Sequence, residues 1–350
     1  MAGLPKGHWF HFFAVAGNLH PIESLLVYCL TFGVLLAPPH LKTLFYTNCL
    51  VQVAIFLPFV QIPVALTGHM VYVDIGWPSG LVAIAIVALM GTGYWLRRWL
   101  ICACYLLHGG RMALGALVMF GQAAGFTYRF QGDLPRYRYA KHKWTKIDGM
   151  PEGWWWMKMQ QDTFGQGLSN SVLLCVPAFL AASNSETALH PLEWIGLLTW
   201  LCGWIFESSA DMQKMSFMVE QKQQHNATAT LGLAPNDKFL WTLCRHPNYF
   251  GEWMAWLGFS IASLPSFQVF SGYEIATLCY FLAILLIPRL LYDCLVHWTG
   301  AGPAEHYSVK KRPSYMDYQK TVRCFFPFQL PFVDHHQEEG WPSFEVEKSS

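Results

Sequence analysis

The sequence contains few charged residues. Only 13% of its 350 residues are Asp, Glu, Lys or Arg, whereas an ordinary soluble domain carries about 25%. The net charge is +1, so the composition indicates no basic surface for nucleic acid, and no nucleic-acid partner is expected. The ten cysteines include no Cys-x-x-Cys pair and no Cys/His spacing suited to zinc. We therefore expect neither disulfides nor a bound metal.

Apolar residues take the place of the missing charge. Hydrophobic residues make up 53% of the chain and aromatic residues 16%, and the apolar residues occur in long runs. A hydrocarbon core about 30 Å thick needs roughly 20 consecutive apolar helical residues, and several runs come close to that length. The many Trp and Tyr residues suit the two membrane–water interfaces. The sequence therefore predicts an all-α, polytopic integral membrane protein.

The apolar runs predict a bundle of about seven to eight transmembrane helices. Pro38 and Pro39 end the first run, because proline cannot continue the helical hydrogen bonds. That run is short and fits either a full span or an interfacial helix. Residues 1–20 lack the pattern of a cleaved signal peptide, so the first span is expected to direct insertion. The candidate runs cover residues 23–37, 44–66, 80–96, 100–123, 165–182, 192–208, 249–264 and 273–297.

Loop charge predicts the orientation of the bundle. The loops after the fourth, sixth and eighth runs are rich in Lys and Arg, whereas the loops between them hold neither residue. The positive-inside rule then places the basic loops and both termini in the cytosol, and we expect a multi-pass protein of the endoplasmic reticulum membrane. Arg97 and Arg98 break the pattern. Either their turn is buried or the number of spans is wrong by one.

Charged residues near the end of the sixth run form a first polar cluster. Glu207, Asp211 and Lys214 follow the spacing i, i+4, i+7, which places them on one helix face. This pattern fits a salt-bridged helix end just outside the lipid. It also fits a polar cavity, because ionisable groups at membrane depth usually face a cavity or a partner.

The run RHPNYFGE, residues 245–252, opens the seventh apolar run and forms a second cluster. Pro247 suits the first turn of a helix. The free N–H groups at that helix start could seat a phosphate, and Arg245 offers the planar fork that phosphates favour. Glu252 lies about one turn inside the bilayer, where a carboxylate needs hydrogen bonds from a ligand. An interfacial anchor explains Arg245 and His246 but not Asn248 with Glu252.

A third cluster follows the eighth run. Glu305 is succeeded by a basic stretch, residues 310–320, in which Tyr315 and Tyr318 alternate with Lys and Arg. Such a stretch could hold phosphates and stack against adenine. It could equally be a polybasic segment that is attracted to anionic lipid headgroups.

These three clusters, in this order, resemble the steroid 5-alpha-reductase-like membrane reductase superfamily. Within it, the likeness is greatest to a subfamily first catalogued as a domain of unknown function. Residues 74–77, Arg111, residues 136–139 and Gln161 also resemble that subfamily. We therefore divide the chain into N-terminal membrane helices (1–69), a steroid-reductase-like transmembrane domain (70–328) and a polar, disordered tail (329–350).

The resemblance implies an NADPH-dependent reductase of a carbon–carbon double bond in a sterol, steroid or isoprenoid-type lipid. The implied cofactor site is a membrane cavity closed by cytosolic loops, in agreement with the absence of a Gly-rich Rossmann fingerprint. The residues at motif positions that the resemblance assigns to NADPH are Arg136, Arg138, Glu207, Asp211, Lys214, Arg245, His246, Asn248, Tyr249, Glu252, Glu305, Tyr315 and Tyr318.

The proton donor is expected at His108. Steroid 5-alpha-reductases use a tyrosine–glutamate pair, with the tyrosine three residues before an arginine. If Arg111 matches that arginine, His108 occupies the tyrosine position, and Asp74 is the candidate acidic partner. A histidine can donate a proton near neutral pH. His108 could instead be a helix-packing residue beside Gly109 and Gly110.

Two other functions stay open at this point. Isoprenylcysteine carboxyl methyltransferases, which use S-adenosylmethionine, share a similar Arg-His-Pro-x-Tyr-x-Gly signature. They normally carry paired glutamates before the tail, whereas here Glu305 stands alone. A non-catalytic sterol-binding membrane protein is also compatible with the histidine at position 108. The sequence favours the reductase, because the Glu207/Asp211/Lys214 face and the tyrosine-containing tail fit that branch.

Overall fold

In the computed structural model, residues 30, 33–124, 130, 132–146, 149, 151–224, 239–311 and 315–328 are described. All regular secondary structure within these ranges is helical, and they contain no strand. The predicted all-α class is therefore confirmed. Most of the first candidate run and the predicted polar tail lie outside the described residues.

Thirteen α-helices are described, linked in places by short 3₁₀ or π-helical turns. They are α1 Pro39–Phe56, α2 Ile62–Thr67, α3 Val73–Ala88, α4 Trp95–Ala124, α5 Pro135–Lys146, α6 Trp155–Val172, α7 Val176–Ser183, α8 Pro191–Gln224, α9 Phe239–Leu243, α10 Pro247–Ser263, α11 Glu274–Asp293, α12 Ala301–Lys311 and α13 Tyr315–Thr321.

Four helical segments in the described part of the chain are long and apolar enough to cross a membrane. These segments are Pro39–Thr67, Trp95–Val118, Glu152–Ser183 and Glu274–Lys310, and Val73–Ala88 is a shorter apolar helix. They overlap the predicted runs at 44–66, 100–123, 165–182 and 273–297, so a membrane helical bundle is supported. The predicted number of seven to eight crossing helices stays a prediction.

The third candidate run has different bounds from those predicted. It was placed at 80–96, but α3 ends at Ala88 and α4 begins at Trp95. The connecting turn is held by α7, because the N–H of Gly93 donates to the Ala182 carbonyl at 2.9 Å and the N–H of Tyr94 donates to the Asn184 carbonyl at 2.8 Å. These N–H groups therefore bind distant carbonyls instead of the carbonyls four residues earlier that a continued helix α3 would offer.

Arg97 is buried beneath the loop that follows α7. Its side chain is 3% exposed and forms an ion pair with Glu193, which is also 3% exposed. Its guanidinium also donates to the carbonyls of Asn184 at 3.2 Å and Ala188 at 2.7 Å. The first explanation of the irregular charge pattern, a buried turn, therefore holds for Arg97.

Buried amides connect α1, α3 and α6. Asn48 Nδ2 donates to the Asn170 carbonyl at 3.1 Å, and Gln52 Nε2 donates to the Gly80 carbonyl at 2.9 Å. Asn170 Nδ2 in turn donates to the Trp77 carbonyl at 3.0 Å. Pro78 lies inside α3 and removes one N–H from the helix. Side-chain amides thus bind backbone carbonyls in the interior of the bundle and join the three helices.

Helices α8 and α10 form the most extensive helix–helix contact. Glycines line it on both sides. A Cβ atom added at Gly203 would lie 2.7 Å from the Gly251 carbonyl oxygen, and one added at Gly196 would lie 2.6 Å from that of Gly258. Small residues of this kind let helix backbones approach closely in membranes. The approach places Glu207, near the middle of α8, beside Gly251 in the first turns of α10.

We predict that Gly203→Ala destabilises the protein. The new methyl group would lie 2.6 Å from the Ala255 nitrogen, so the two helices must separate, at a cost of roughly 1–3 kcal/mol. The measurement is the thermal unfolding midpoint in detergent. Gly115→Ala is the control, because a Cβ atom there meets nothing within 4 Å. An equal midpoint in the two variants would contradict the packing argument.

Candidate functional site

An ion-pair network joins α4, α8 and α10. Arg111 of α4 forms an ion pair with Glu207 and donates from Nη1 to Asp211 Oδ2 at 2.8 Å. Asn248, in the first turn of α10, donates from Nδ2 to Asp211 Oδ1 at 3.1 Å. The spacing of Glu207 and Asp211 places both carboxylates on the same face of α8. The structure therefore brings these predicted site residues together.

His108 and Glu252 form a buried pair one turn from Arg111. His108 Nε2 lies 3.2 Å from Glu252 Oε1 and 3.1 Å from Oε2. Trp256 Nε1 donates to Glu252 Oε1 at 2.8 Å. The rings of Trp256 and Phe259 meet the imidazole edge-on, with centroids 5.9 and 5.8 Å away. The partner of His108 is thus Glu252, not the expected Asp74.

Asp74 lies at the start of α3 and binds α5. Its Oδ1 accepts hydrogen bonds from Arg136 and from the Tyr137 hydroxyl. Burial disfavours the charge of Arg136, but the Asp74 carboxylate and the tyrosines at 137 and 249 outweigh this and raise its pKa. Tyr249 interacts electrostatically with both Arg136 and Asp211.

We call Asp74, His108, Arg111, Arg136, Glu207, Asp211, Asn248 and Glu252 the central polar cluster. Several of its buried atoms have no hydrogen-bond partner among the described residues. Leaving such atoms unpaired in a protein interior costs free energy, so a concentration of them indicates a site for a polar ligand. They are Asp74 Oδ2, His108 Nδ1, Arg111 Nε, Arg136 Nε, Glu207 Oε2 and Asn248 Oδ1.

A second, separate group surrounds Glu305 and is called the Glu305 hub. Arg245 Nε donates to Glu305 Oε1 at 2.7 Å, and His246 Nε2 lies 2.7 Å from the same oxygen. Burial lowers the pKa of His246, whereas the Glu305 carboxylate opposes this effect. Gln319 Nε2 also donates to Glu305. Arg245 and His246, which were expected to contact NADPH, thus both bind Glu305, a third residue with the same expected role.

Backbone hydrogen bonds extend the Glu305 hub. The N–H groups of Arg245 and His246 donate to the carbonyls of Arg323 at 2.7 Å and Cys324 at 3.1 Å. The Tyr318 hydroxyl donates to the Trp241 carbonyl at 2.5 Å, and Tyr315 packs against the Tyr318 ring. Tyr318 therefore holds α13 against α9, and Arg245 Nη1 binds α13 by donating to the Gln319 carbonyl at 3.0 Å.

The remaining predicted site residues lie at the edge of these groups. Lys214 is exposed, and its Nζ lies 5.5 Å from the centre of the Trp241 ring. Arg138 is exposed on α5, with its guanidinium 5.6 Å from the Tyr307 ring of α12. Lys214 also interacts electrostatically with Asp211 of the central polar cluster.

Sequence reasoning gave no role to Tyr137 or Trp256, although both donate to carboxylates of the central polar cluster. Arg111 was noted only for its likeness to a family position. One signal was present in the sequence: an arginine within an apolar run needs a buried partner, and Glu207 and Asp211 were the acidic residues at similar depth.

Within the described part of the chain, two groups of side chains could geometrically hold a metal ion. The ligand atoms of His108, Glu207 and Glu252 all lie within 4.8 Å of one another, and so do those of His246, Glu305 and Cys324. Arginines beside both groups disfavour a cation there, since Arg111 contacts Glu207 and Arg245 contacts Glu305. The expected absence of a metal stays a prediction.

We predict that Glu305→Ala strongly destabilises the protein. The substitution leaves the buried guanidinium of Arg245 without its carboxylate, and breaking a buried pair in this way costs about 3–5 kcal/mol. The free energy of unfolding in detergent is the measurement. Asp317→Asn breaks the exposed pair with Lys320 and should cost no more than about 1 kcal/mol. Similar losses in the two variants would contradict a supporting role for the Glu305 hub.

Comparison with known proteins places the chain in a family. Uncharacterized protein C594.04c of Schizosaccharomyces pombe is 26% identical over 175 residues, which cover 44% of this chain and 45% of that protein. The chain therefore matches less than half of the length of this relative. No solved structure matches the chain. A family model matches residues 62–322, which is most of the chain, and the chain thus belongs to the family described as "Protein of unknown function (DUF1295)".

Proposed function

We propose that this protein is an NADPH-dependent membrane oxidoreductase that reduces a carbon–carbon double bond in a sterol, steroid or isoprenoid-type lipid. The proposal places it in the steroid 5-alpha-reductase-like superfamily and in the endoplasmic reticulum membrane, with both termini in the cytosol. The observation that carries it is the set of unpaired buried polar atoms in the central polar cluster.

The unpaired atoms match the chemistry of a dinucleotide. Asn248 Oδ1 and Glu207 Oε2 are acceptors, suited to the carboxamide and the ribose hydroxyls of the nicotinamide half. Arg111 and Arg136 carry unpaired Nε donors, which suit hydroxyls or phosphate oxygens. Asp211 accepts hydrogen bonds from Arg111 and Asn248 and so fixes the orientation of both side chains in the site. When bound, NADPH supplies the hydride for the reduction.

The predicted site residues then divide into two roles. The cofactor is contacted by Tyr249 and by the residues of the central polar cluster other than His108, which faces the substrate. The exposed Arg138 and Lys214 are placed for the phosphates of the cofactor. Arg245, His246 and Glu305 have one another as partners, so in this proposal they act by fixing the start of α10, which carries Asn248. Tyr318 keeps α13 against α9, which directly precedes that start, and Tyr315 packs against the Tyr318 ring.

The apolar surroundings of His108 fit a lipid substrate. Trp256 and Phe259 form two aromatic walls beside its ring, and the helix that carries it is one of those long enough to cross a membrane. An apolar pocket with few polar groups is typical of sites for hydrophobic ligands. Reduction also needs a proton donor, and in this proposal His108 has that role.

We predict that NADPH raises the thermal unfolding midpoint of the purified protein, because a ligand that binds only the folded state stabilises it. Asn248→Ala should weaken this binding about fivefold or more, as expected for a lost hydrogen bond. Thr199→Ala is the control, since the Thr199 hydroxyl donates within its own helix. If S-adenosylmethionine raises the midpoint and NADPH does not, the reductase hypothesis is wrong and a methyltransferase is indicated. Protection by neither ligand would favour a non-catalytic sterol-binding protein.

We also predict that His108→Ala retains NADPH binding and lowers turnover at least about tenfold, the low end for the loss of a general acid. The substrate is identified first, as the unsaturated lipid that accumulates in cells lacking the protein. Reduction of that lipid by purified protein is then measured. Unchanged turnover in His108→Ala would remove His108 from the mechanism.

A further inference from the structure

Two ion pairs join α4 to α8. Arg97 of α4 binds Glu193 of α8, and Arg111 of α4 binds Glu207 of α8. On both helices the second partner lies fourteen residues after the first, so the two pairs are about 21 Å apart along the helices. Helix α4 packs mainly on α3 and α7, whereas α8 packs mainly on α10. We call the space between the two ion pairs the α4–α8 window.

Apolar side chains line the α4–α8 window. A cavity near its Arg97 end is bordered by Leu100 of α4 and Leu197 of α8. One turn after Leu197, the Trp200 ring lies 6.0 Å from the Phe259 ring, measured between ring centroids. The window therefore offers an apolar surface to a hydrophobic molecule, as is typical of lipid sites.

Two indole N–H groups in the α4–α8 window are unpaired. The Nε1 atoms of Trp200 and Trp204 are buried and have no hydrogen-bond partner among the described residues. The two residues lie four apart on α8 and therefore share one helix face. Their rings stack with centroids 6.2 Å apart, and Trp200 is only 5% exposed. The two donors thus lie side by side within the protein.

Other tryptophans of the same structure do pair their N–H groups. Trp241 and Trp253 donate to backbone carbonyls at 3.1 and 2.8 Å, and Trp256 donates to a carboxylate at 2.8 Å. A buried indole N–H usually has a partner, because leaving it unpaired costs free energy. Two adjacent unpaired donors therefore indicate a place where a ligand supplies the acceptor.

The depth of the two indoles restricts the chemistry of this ligand. The Phe259 ring contacts the rings of Trp200 and Tyr105, with centroids 6.0 and 4.2 Å away. Tyr105 lies near the middle of the apolar segment Trp95–Val118, far from the interfaces where glycerolipids carry their polar groups. An indole N–H only donates. The ligand is therefore an apolar molecule with an embedded hydroxyl or carbonyl oxygen.

We propose that Trp200 and Trp204 form a second polar subsite, in which their N–H groups bind an oxygen of the lipid substrate remote from its double bond. The inference rests on the proposed reductase function, in which the double bond lies beside His108. Phe259 contacts both the His108 ring, at 5.8 Å between centroids, and the Trp200 ring. The substrate then extends from His108 into the α4–α8 window.

The subsite discriminates among the proposed substrates. A sterol or steroid with an oxygen at each end of its ring system offers an acceptor to the indoles while its double bond lies beside His108. An isoprenoid whose chain carries no second oxygen would leave both N–H groups unpaired, at a cost in free energy. We therefore expect a doubly oxygenated ring lipid to bind best.

The test is equilibrium binding of two steroids to the full-length protein in phosphatidylcholine nanodiscs. Androst-4-ene-3,17-dione carries an oxygen at the end of the ring system opposite to its conjugated double bond, and androst-4-en-3-one lacks that oxygen. We expect the dione to bind at least about fivefold more tightly, the effect of one neutral hydrogen bond. Trp200→Phe/Trp204→Phe removes both N–H groups and retains aromatic rings, so the affinity ratio should approach one. Trp194→Phe, which changes an exposed tryptophan of the same helix, should leave the ratio unchanged.

Equal binding of the two steroids by the wild-type protein, binding of neither, or an unchanged ratio in the double variant would overturn the inference. Each single variant is measured as well, and if the double variant does not fold, at least one single variant must lower the ratio.

NADPH protection against thermal unfolding is measured on the same samples. A ratio that depends on the two tryptophans without protection by NADPH would refute the reductase and leave a lipid-binding subsite. Protection by NADPH with a ratio that does not depend on them would refute the subsite alone.

Discussion

The close approach of α8 and α10 is the constraint on which the site depends. Helices in lipid gain little from hydrophobic attraction to one another, so their contacts rely on van der Waals packing and polar bonds. Glycines on both helices remove the side chains that would keep the backbones apart. Glu207 and Asp211 then lie beside Asn248 and Glu252. Helix α4 contributes their partners, His108 and Arg111.

The helical class and the approximate position of the main apolar helices could be predicted because lipid leaves few alternatives for a backbone without water. Helix bounds were less predictable. The residues between Ala88 and Trp95 belong to an apolar run in the sequence. Their backbone, however, is hydrogen-bonded to residues at the end of α7, which lie far away in the sequence. Likewise, the partner of Arg97 is Glu193, and no local pattern connects these two residues.

The polar residues of the site could be predicted as a set, because charges in apolar runs stand out in the sequence. Their pairing could not. Asp74 was the expected partner of His108, but Asp74 binds Arg136 and Tyr137, and Glu252 binds His108. Arg245 suits a phosphate by chemistry alone, yet it binds Glu305. Which carboxylate reaches which cation depends on the rotation of each helix about its axis, and a single sequence does not contain that rotation.

The Glu305 hub has a consequence for the order in which the protein is assembled. Arg245 binds the carbonyl of Val322, which lies 77 residues later in the chain, and Glu305 lies between them. During synthesis, the beginning of α10 therefore emerges long before its partners do. Until α12 and α13 have been made, a buried arginine and histidine lack their counter-charge. The start of α10, which carries Asn248, can reach its final geometry only as one of the last steps of folding.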